Sequence, residues 1–351
     1  MKKNDPLQAW DAADTLIENH LLSLEIAPNS RVLVLNDAYG ALTVSALKVV
    51  PSPLITTYTD SYVSTTAIIL NTEKKITPIH SLSGLQGSYD VVLMKLPGQL
   101  SYFEDLLCHL SHHLKSTSKI VFGGMIKYIS KGHFQCIERI IGQTKTSLAQ
   151  KKARLIFAEF TKGKTPSPYP TRVTIEGFDH PFSHASLLFS REKLDIGTRF
   201  FLQHLPQGNF KQILDLGCGN GLLGIAAKQL HPRADLIFAD DSTMALQSAS
   251  HNYTLFFNDQ ATFVWTNCFE NQPPESVDLV LCNPPFHQKS GVTDHIAHQM
   301  FRDARAALRK NGLLRFIGNS HLRYAHELKK KFSSVTKVAQ NPKFSIFDAI
   351  K

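Results

Sequence analysis

Nowhere in this sequence do about 18 apolar residues run together, the length that a membrane-spanning helix needs. The start, MKKNDPLQAWDAADTL, also lacks the continuous apolar stretch of a secretory leader. A cytoplasmic chain with no membrane partner is the expectation. Cysteine is scarce. Its five thiols (Cys108, Cys136, Cys218, Cys268, Cys282) form no C-x-x-C pair and no Cys/His cluster able to close a tetrahedral zinc site. Buried or incidental thiols are expected. His295 and His298 stand at helical spacing without a third ligand, so no metal is expected either. No Gly-Lys-Ser/Thr follows the glycine-rich turn near residue 217, which excludes a Walker loop. That turn also has Leu222 where the dinucleotide fingerprint needs its last glycine.

What is present is length, basic charge and repetition. At 351 residues the chain exceeds the usual size of one domain, so two are expected. The net charge of +9 is concentrated: residues 115–164 hold eleven Lys/Arg against two acids, and residues 302–337 hold ten against two. Either segment alone reads equally well as a solvated face. Two in one chain favour a nucleic-acid partner, because neutralised phosphates release counterions.

The second half reads as an α/β order. QILDLGCGNGLLGIAAKQLHP (212–232) is strand, glycine turn and helix, and ADLIFADDS follows as a strand ending in acids. A helix over 243–256, the strands ATFVWTN and SVDLVLCN, a helix over 293–310 and the closing strands LLRFIGN and KFSIFDAIK complete it. Alternation of this kind implies a doubly wound, mainly parallel sheet. The first half repeats the order. Ungapped, VLVLNDAYGAL sets Asn36 against Gly217 and Gly40 against Gly221, and DSYVSTTAIILN falls on DSTMALQSASHN; after a short insertion Lys95 meets Asn283 and Leu96 meets Pro284. The chain is thus a duplicated α/β domain, expected as 1–161 and 172–351 with a Pro-rich linker over 162–171. RVTIEGFDHPFSHASLLFS beyond the linker reads as a hairpin.

In Asp215-Leu-Gly-Cys-Gly-Asn-Gly221 the glycines admit a ligand close to a strand tip, where α/β sheets bind their ligands. With the phosphate motifs excluded, this is the G-x-G-x-G turn used for S-adenosylmethionine. Asp215 is expected to hold the amino acid end of that cofactor, or else to cap the following turn. Asp240 lies 19 positions beyond Gly221, suited to the ribose hydroxyls, while Asp241 reads as a helix N-cap; the choice between them stays open. Asn267 is expected at the adenine edge or on a solvent-facing loop.

Leu-Cys-Asn-Pro-Pro-Phe-His (281–287) carries the sharper chemistry. The lone pair of an exocyclic base amine is delocalised into its ring. Two acceptors, the Asn283 side-chain oxygen and the Pro284 carbonyl, would hold its N–H groups and favour methyl transfer. The prolines fix φ and donate no competing N–H, and Phe286 offers a face to an extruded base. An ordinary Pro-Pro turn is the bland alternative.

DPLQAWDAAD, VLVLNDAYGAL, KKARLIFAEF, LDIGTRFFLQHLP, DLGCGNG, CNPPFHQ and HELKKKF together resemble the RsmC/RlmG family of bacterial ribosomal RNA guanine-N2 methyltransferases. The resemblance spans almost the whole chain. It implies two tandem Rossmann-like class I methyltransferase domains, the N-terminal copy degenerate and RNA-binding, with Lys151, Lys152 and Arg154 placed to hold RNA. It further implies that the C-terminal copy binds S-adenosylmethionine through Asp215, Gly217, Gly219, Gly221, Asp240 and Asn267. Asn283, Pro284 and Phe286 would form the target-base site for a guanine in 23S rRNA, on the RNA or on a large-subunit precursor, and LDIGT (194–198) would fold over the methionine end. A monomer is expected. The rivals are a 16S rRNA guanine-N2 enzyme, an adenine-N6 or protein glutamine methyltransferase, and a non-catalytic RNA-binding assembly factor.

Overall fold

The computed structural model describes residues 8–188, 194–284, 292–321 and 324–351. The chain divides into two units, the first ending at Tyr169 and the second beginning at Pro170.

In the first unit, α1 (Ala12–Ser23) is followed by β1 (Val32–Leu35), α2 (Ala41–Leu47), β2 (Ile55–Tyr58), α3 (Tyr62–Asn71), β3 (Tyr89–Lys95) and α4 (Leu100–Ser111). Then come β4 (Leu114–Met125), α5 (Lys131–Ile140), β5 (Thr144–Thr146) and β6 (Ala153–Ala158). The strands order β2-β1-β3-β4-β6-β5. The first four run parallel, and β6 joins antiparallel to both β4 and β5.

The second unit opens with the antiparallel pair β7 (Thr171–Val173) and β8 (Phe182–His184). It continues with α6 (Ile196–Leu202), β9 (Gln212–Leu216), α7 (Leu222–Leu230), β10 (Asp235–Asp240), α8 (Thr243–Phe256), β11 (Thr262–Trp265), β12 (Val277–Cys282) and α9 (Val292–Ala307). It closes with β13 (Leu308–Asn319), α10 (Tyr324–Lys329), β14 (Ser334–Gln340) and β15 (Phe344–Ile350). The sheet order is β11-β10-β9-β12-β13-β15-β14, parallel except for β15. Alternating residues fill two faces: Ile213, Leu279 and Leu281 join one core cluster, Leu214, Leu216 and Val280 the other. Asp215 shares the parity of Ile213 and so points into the first.

The two sheets share one plan, and the likeness reaches single hydrogen bonds. The first lacks only the strand equivalent to β11; an isolated parallel bridge from Tyr58 to Ile79 marks its place. Gly40 and Gly221 both take positive φ (90° and 82°) before their helices, and a Cβ on either would press on the facing helix, at Ile68 and Ala249. Asn71 donates to the Tyr39 carbonyl at 2.7 Å, as Asn252 does to that of Asn220 at 2.9 Å. Ser61 and Ser242 each cap the next helix by accepting the N–H three residues on. Duplication therefore preserved the skeleton of the turn.

Two expectations need correcting. Residues 162–169 are no free linker: Ser111 Oγ accepts from Thr165 N, Ser167 Oγ donates to Asp105 at 2.6 Å, and Tyr169 OH donates to Glu104 at 2.7 Å. Side-chain acceptors of α4 thus tie this stretch to the first unit. The cap of α8 is Ser242 and not Asp241, because the serine hydroxyl accepts from Ala245 N at 3.0 Å. Among the described residues no helix is long and apolar enough to cross a membrane, and all five cysteines are free thiols.

Candidate active site at the strand tips of the second unit

Register fixes what meets at the carboxyl edge. Leu216 lies beside Cys282 on one side and Ala239 on the other, so the next residues, Gly217, Asn283 and Asp240, form a row across β12, β9 and β10. The order of the sheet reverses between β9 and β12, which is where an open α/β sheet leaves a crevice.

The glycines of the loop differ in duty. Gly217, Gly219 and Gly221 all hold positive φ (73°, 55° and 82°). A Cβ at Gly221 would come within 3.0 Å of Ala249, and one at Gly217 within 3.1 Å of the Met300 side chain, whereas one at Gly219 would meet none of the described residues within 4 Å. Gly219 therefore opens onto space that a ligand can fill, while Gly221, expected at the cofactor, is a turn and packing residue. Asp240 braces the loop: its carboxylate accepts from Gly219 N at 2.9 Å and from Ser242 N at 3.0 Å. Asn267 lies just past the end of β11 and donates to Glu270 at 3.2 Å.

Asp215 is almost fully buried, and its Oδ2 accepts from Gly224 N in the first turn of α7 at 2.8 Å. The expectation of a direct hold on the ligand gives way, for this oxygen, to capping. Burial, with the neighbouring Asp240 charge adding to it, pushes the Asp215 carboxyl up to about 8.

At the end of β12, Asn283 Nδ2 donates to Thr198 Oγ1 at 3.0 Å. Among the described residues the other end of the amide, Oδ1, is buried and has no hydrogen-bond partner. Buried acceptors without partners are rare because each loses its hydration uncompensated. Pro284 is buried beside it. Phe286 and His287 lie outside the described residues. Sequence reasoning missed a supporting layer: Asn252 is fully buried and bonds Ser183 N at 2.7 Å, Ser183 O at 3.0 Å and the loop carbonyl of Asn220, whose side chain donates to His184 at 2.8 Å. Only the matching Asn71 in the first copy could have signalled it.

The first unit closes the equivalent edge with its own side chains. Asn36 keeps the left-handed conformation of Gly217 (φ 58°), but Asp37 turns inward, accepting from Gly40 N at 2.9 Å and from both Thr43 N and its hydroxyl at 2.9 and 2.8 Å. A side chain of the loop itself thus caps the helix end. Lys95, at the place of Asn283, is tied to Asp14 and Asp11 at 2.5 and 3.0 Å.

Residues 179–348 match the methyltransferase small domain, and residues 1–162 match the RLMG N-terminal domain. Over its whole length the chain is 40% identical to the ribosomal RNA large subunit methyltransferase G of Shewanella halifaxensis, covering 86% of that protein. The chain belongs to the ribosomal RNA large subunit methyltransferase G family. A family member from Pseudomonas paraeruginosa is 42% identical over 99% of this chain and 94% of its own. The solved T. thermophilus 16S rRNA N2 G1207 methyltransferase (RsmC), in complex with AdoMet and guanosine, shares the fold with a TM-score of 0.79 over 97% of this chain and 92% of that one, at 20% identity. Membership of the methyltransferase G family bears out the resemblance read from the sequence, and both sheets have the class I Rossmann-like methyltransferase architecture, the first with its loop altered.

A pH effect follows for this family member. The raised Asp215 carboxyl keeps its proton in the folded apoprotein at pH values where the unfolded chain has lost it. Stability is therefore greatest below the ordinary carboxylate range, falls as pH rises toward about 8, and is level beyond. Asp215→Asn retains an oxygen for Gly224 N and is expected to flatten that slope. Thermal denaturation from pH 5 to 8 checks this, and an unchanged slope would assign the effect elsewhere.

Proposed function

We propose that this chain transfers a methyl group from S-adenosylmethionine to the exocyclic N2 amine of a guanine in the 23S rRNA of the large ribosomal subunit or its precursor. The observation that carries the reading is the buried, unpartnered Asn283 Oδ1 at the tip of β12. It asks for an N–H donor, and an extruded base amine is one.

The cofactor fits the residues present. Space above Gly219 accepts a ligand against the backbone, and the Asp240 carboxylate that braces the loop favours one that carries a sulfonium and an ammonium. S-adenosylmethionine supplies an electrophilic methyl group. Asp240 would take the ribose hydroxyls and Asn267 the adenine edge, with Gly217 and Gly219 lining the loop. Asn283 Oδ1 and the Pro284 carbonyl would hold the two amine hydrogens. Held so, the amine nitrogen would be drawn out of conjugation with the ring and its lone pair aimed in line at the methyl carbon, the N–C bond forming as the S–C bond breaks to leave a neutral thioether and one amine proton passing to water. Phe286 would stack on the base. No side chain need act as a covalent nucleophile. Nucleoside mass spectrometry of rRNA from a deletion strain tests the reading: loss of N2-methylguanosine from 23S rRNA is expected, and an unchanged level would sink it.

The first unit would hold RNA through Lys151, Lys152 and Arg154. Gln150 to Ala153 form a two-residue hairpin turn, closed by hydrogen bonds of 2.9 and 2.8 Å, with both central lysines at positive φ (47° and 64°). Asn-Gly suits such a turn far better. Each lysine there costs about 1 kcal/mol in strain, which a structural turn has no reason to carry. Arg154 Nε, just beyond, is buried without a partner among the described residues. Replacing Lys151→Asn together with Lys152→Gly is expected to raise stability by about 1–2 kcal/mol. The same change should weaken rRNA binding and lower its salt slope by roughly 0.7 to 0.9 per lost phosphate contact. Titrations at several salt concentrations read both, and tighter folding with undiminished RNA affinity would remove this turn from the binding surface.

A further inference from the structure

A primary amide can present either end to a substrate, and only one end suits an amine. An oxygen aimed at the target accepts its N–H; a nitrogen aimed there would repel it. What decides the orientation of Asn283 is therefore as consequential as the presence of Asn283. We infer that Asp195 and Thr198 are positioning residues that lock the amide with its oxygen outward, an inference resting on the role proposed for Asn283 above.

The chain of contacts runs in one direction. Thr198 Oγ1 is 3.0 Å from Asn283 Nδ2 and 3.5 Å from Asp195 Oδ2. A carboxylate can only accept, so the threonine hydrogen points to Asp195 and the hydroxyl lone pairs face Asn283. At 3.5 Å the contact to Asp195 is weak as a bond, but the carboxylate charge still sets the direction of the hydroxyl dipole. Asn283 must then offer its NH2 to Thr198 and turn Oδ1 away, which is the end that is buried without a partner. The reversed amide would leave the NH2 group buried in that place.

Asp195 is itself fixed. It is the N-cap of α6, its Oδ2 accepts from Thr198 N at 3.0 Å, and Gly197 makes room for it, since a Cβ there would come within 2.9 Å of that oxygen. Within 194–198, the stretch expected to fold over the methionine end, Asp195 and Thr198 contact each other, and Thr198 contacts Asn283.

The first unit provides an internal comparison. Asp11 is the N-cap of α1, Asp14 stands three residues on as Thr198 does after Asp195, and Lys95 ends β3 as Asn283 follows β12. Lys95 Nζ lies 3.0 Å from Asp11 and 2.5 Å from Asp14. That trio is a closed ion cluster whose strand-end group only donates. Threonine in place of the second carboxylate and asparagine in place of lysine convert the same three positions into a relay that ends on a free acceptor.

Thr198→Val keeps the branched shape and removes the lone pairs. Methyl transfer from labelled S-adenosylmethionine to rRNA should lose kcat on the order of 10- to 100-fold, the scale of a misaligned group. Cofactor Kd by calorimetry should stay within about twofold, and Tm within a few degrees. Thr198→Ser should restore most of kcat, and Thr198→Val should add nothing in an Asn283→Ala background. Unchanged kcat in Thr198→Val would overturn the inference, as would a loss confined to cofactor affinity, or a loss that Thr198→Ser fails to repair. Counting total label keeps this outcome separate from the identity of the methylated nucleotide, which mass spectrometry of the same product reports.

Discussion

Asn283→Ala is expected to lower kcat by about 100- to 1,000-fold, the range seen when a group that acts on the reacting atoms is removed, while the Kd for S-adenosylmethionine changes by no more than about twofold. The reasoning is geometric. Asn283 follows β12 on the far side of Gly217 from Asp240, and among the described residues its side chain bonds Thr198, not the glycine loop. On the proposed function its unpartnered oxygen would gain an N–H from the target amine, so its contribution would appear with the substrate and grow as the nitrogen is drawn out of conjugation. Asn283→Asp adds a separate discrimination: a carboxylate still accepts, but its charge in a half-buried site beside the Asp195 carboxylate penalises the vacant state. A partial loss is expected there. Equal losses of kcat and cofactor affinity in Asn283→Ala would place the residue at the cofactor instead.

The second large effect separates two glycines that look alike in sequence. Gly219→Leu is expected to weaken cofactor binding by about 100-fold through overpacking of the ligand's space, with Tm lowered only by the strain of a side chain at φ 55°. Gly221→Ala is expected to do the reverse. Its φ of 82° and the 3.0 Å approach to Ala249 load strain and a steric clash onto one residue, for a destabilisation of roughly 2–3 kcal/mol. Protein that remains folded should still bind the cofactor. Calorimetry and thermal denaturation on the two variants, read together, check the assignment; if Gly221→Ala lost affinity without losing stability, the duties of the two glycines would have to be exchanged.

How far the sequence was legible follows the range of the interactions. Periodicity located the helix over 243–256 to the residue, and the strands β9, β10 and β12, because each is decided within its own window of apolar side chains. The duplication was readable from a constant offset, and the structure gives its cause: the glycine turn, the serine cap and the Asn71/Asn252 bond are one unit of packing repeated. Strand β14 was not foreseen. Its residues, SVTKVAQ, are mostly exposed, as the Lys-bearing edge of a sheet should be, so no apolar alternation announced it. Residues 162–169 read as a linker because prolines are local, whereas the α4 side chains that hold this stretch lie more than fifty positions away. The same limit hid the partner of Asn283. Thr198 is 85 residues distant, and nothing in LDIGT or CNPPF names the other. Asp37 escaped for a subtler reason: the alignment of Asn36 with Gly217 and Gly40 with Gly221 does not say that a carboxylate between them takes over the helix end.

The degenerate copy therefore explains the active one. The first edge turns its own groups inward, through Asp37 and the Lys95 cluster, whereas the second leaves the Asn283 acceptor and one open loop position at Gly219. That pairing of an emptied place with an orphaned acceptor is the core of the functional account.

The most direct test is mass mapping of rRNA methylated in vitro by this protein with S-adenosylmethionine. The account predicts a single N2-methylguanosine in 23S rRNA, absent when Asn283→Ala replaces the native chain. A methyl group on adenine N6, on 16S rRNA or on protein, or its undiminished appearance with Asn283→Ala, would contradict it.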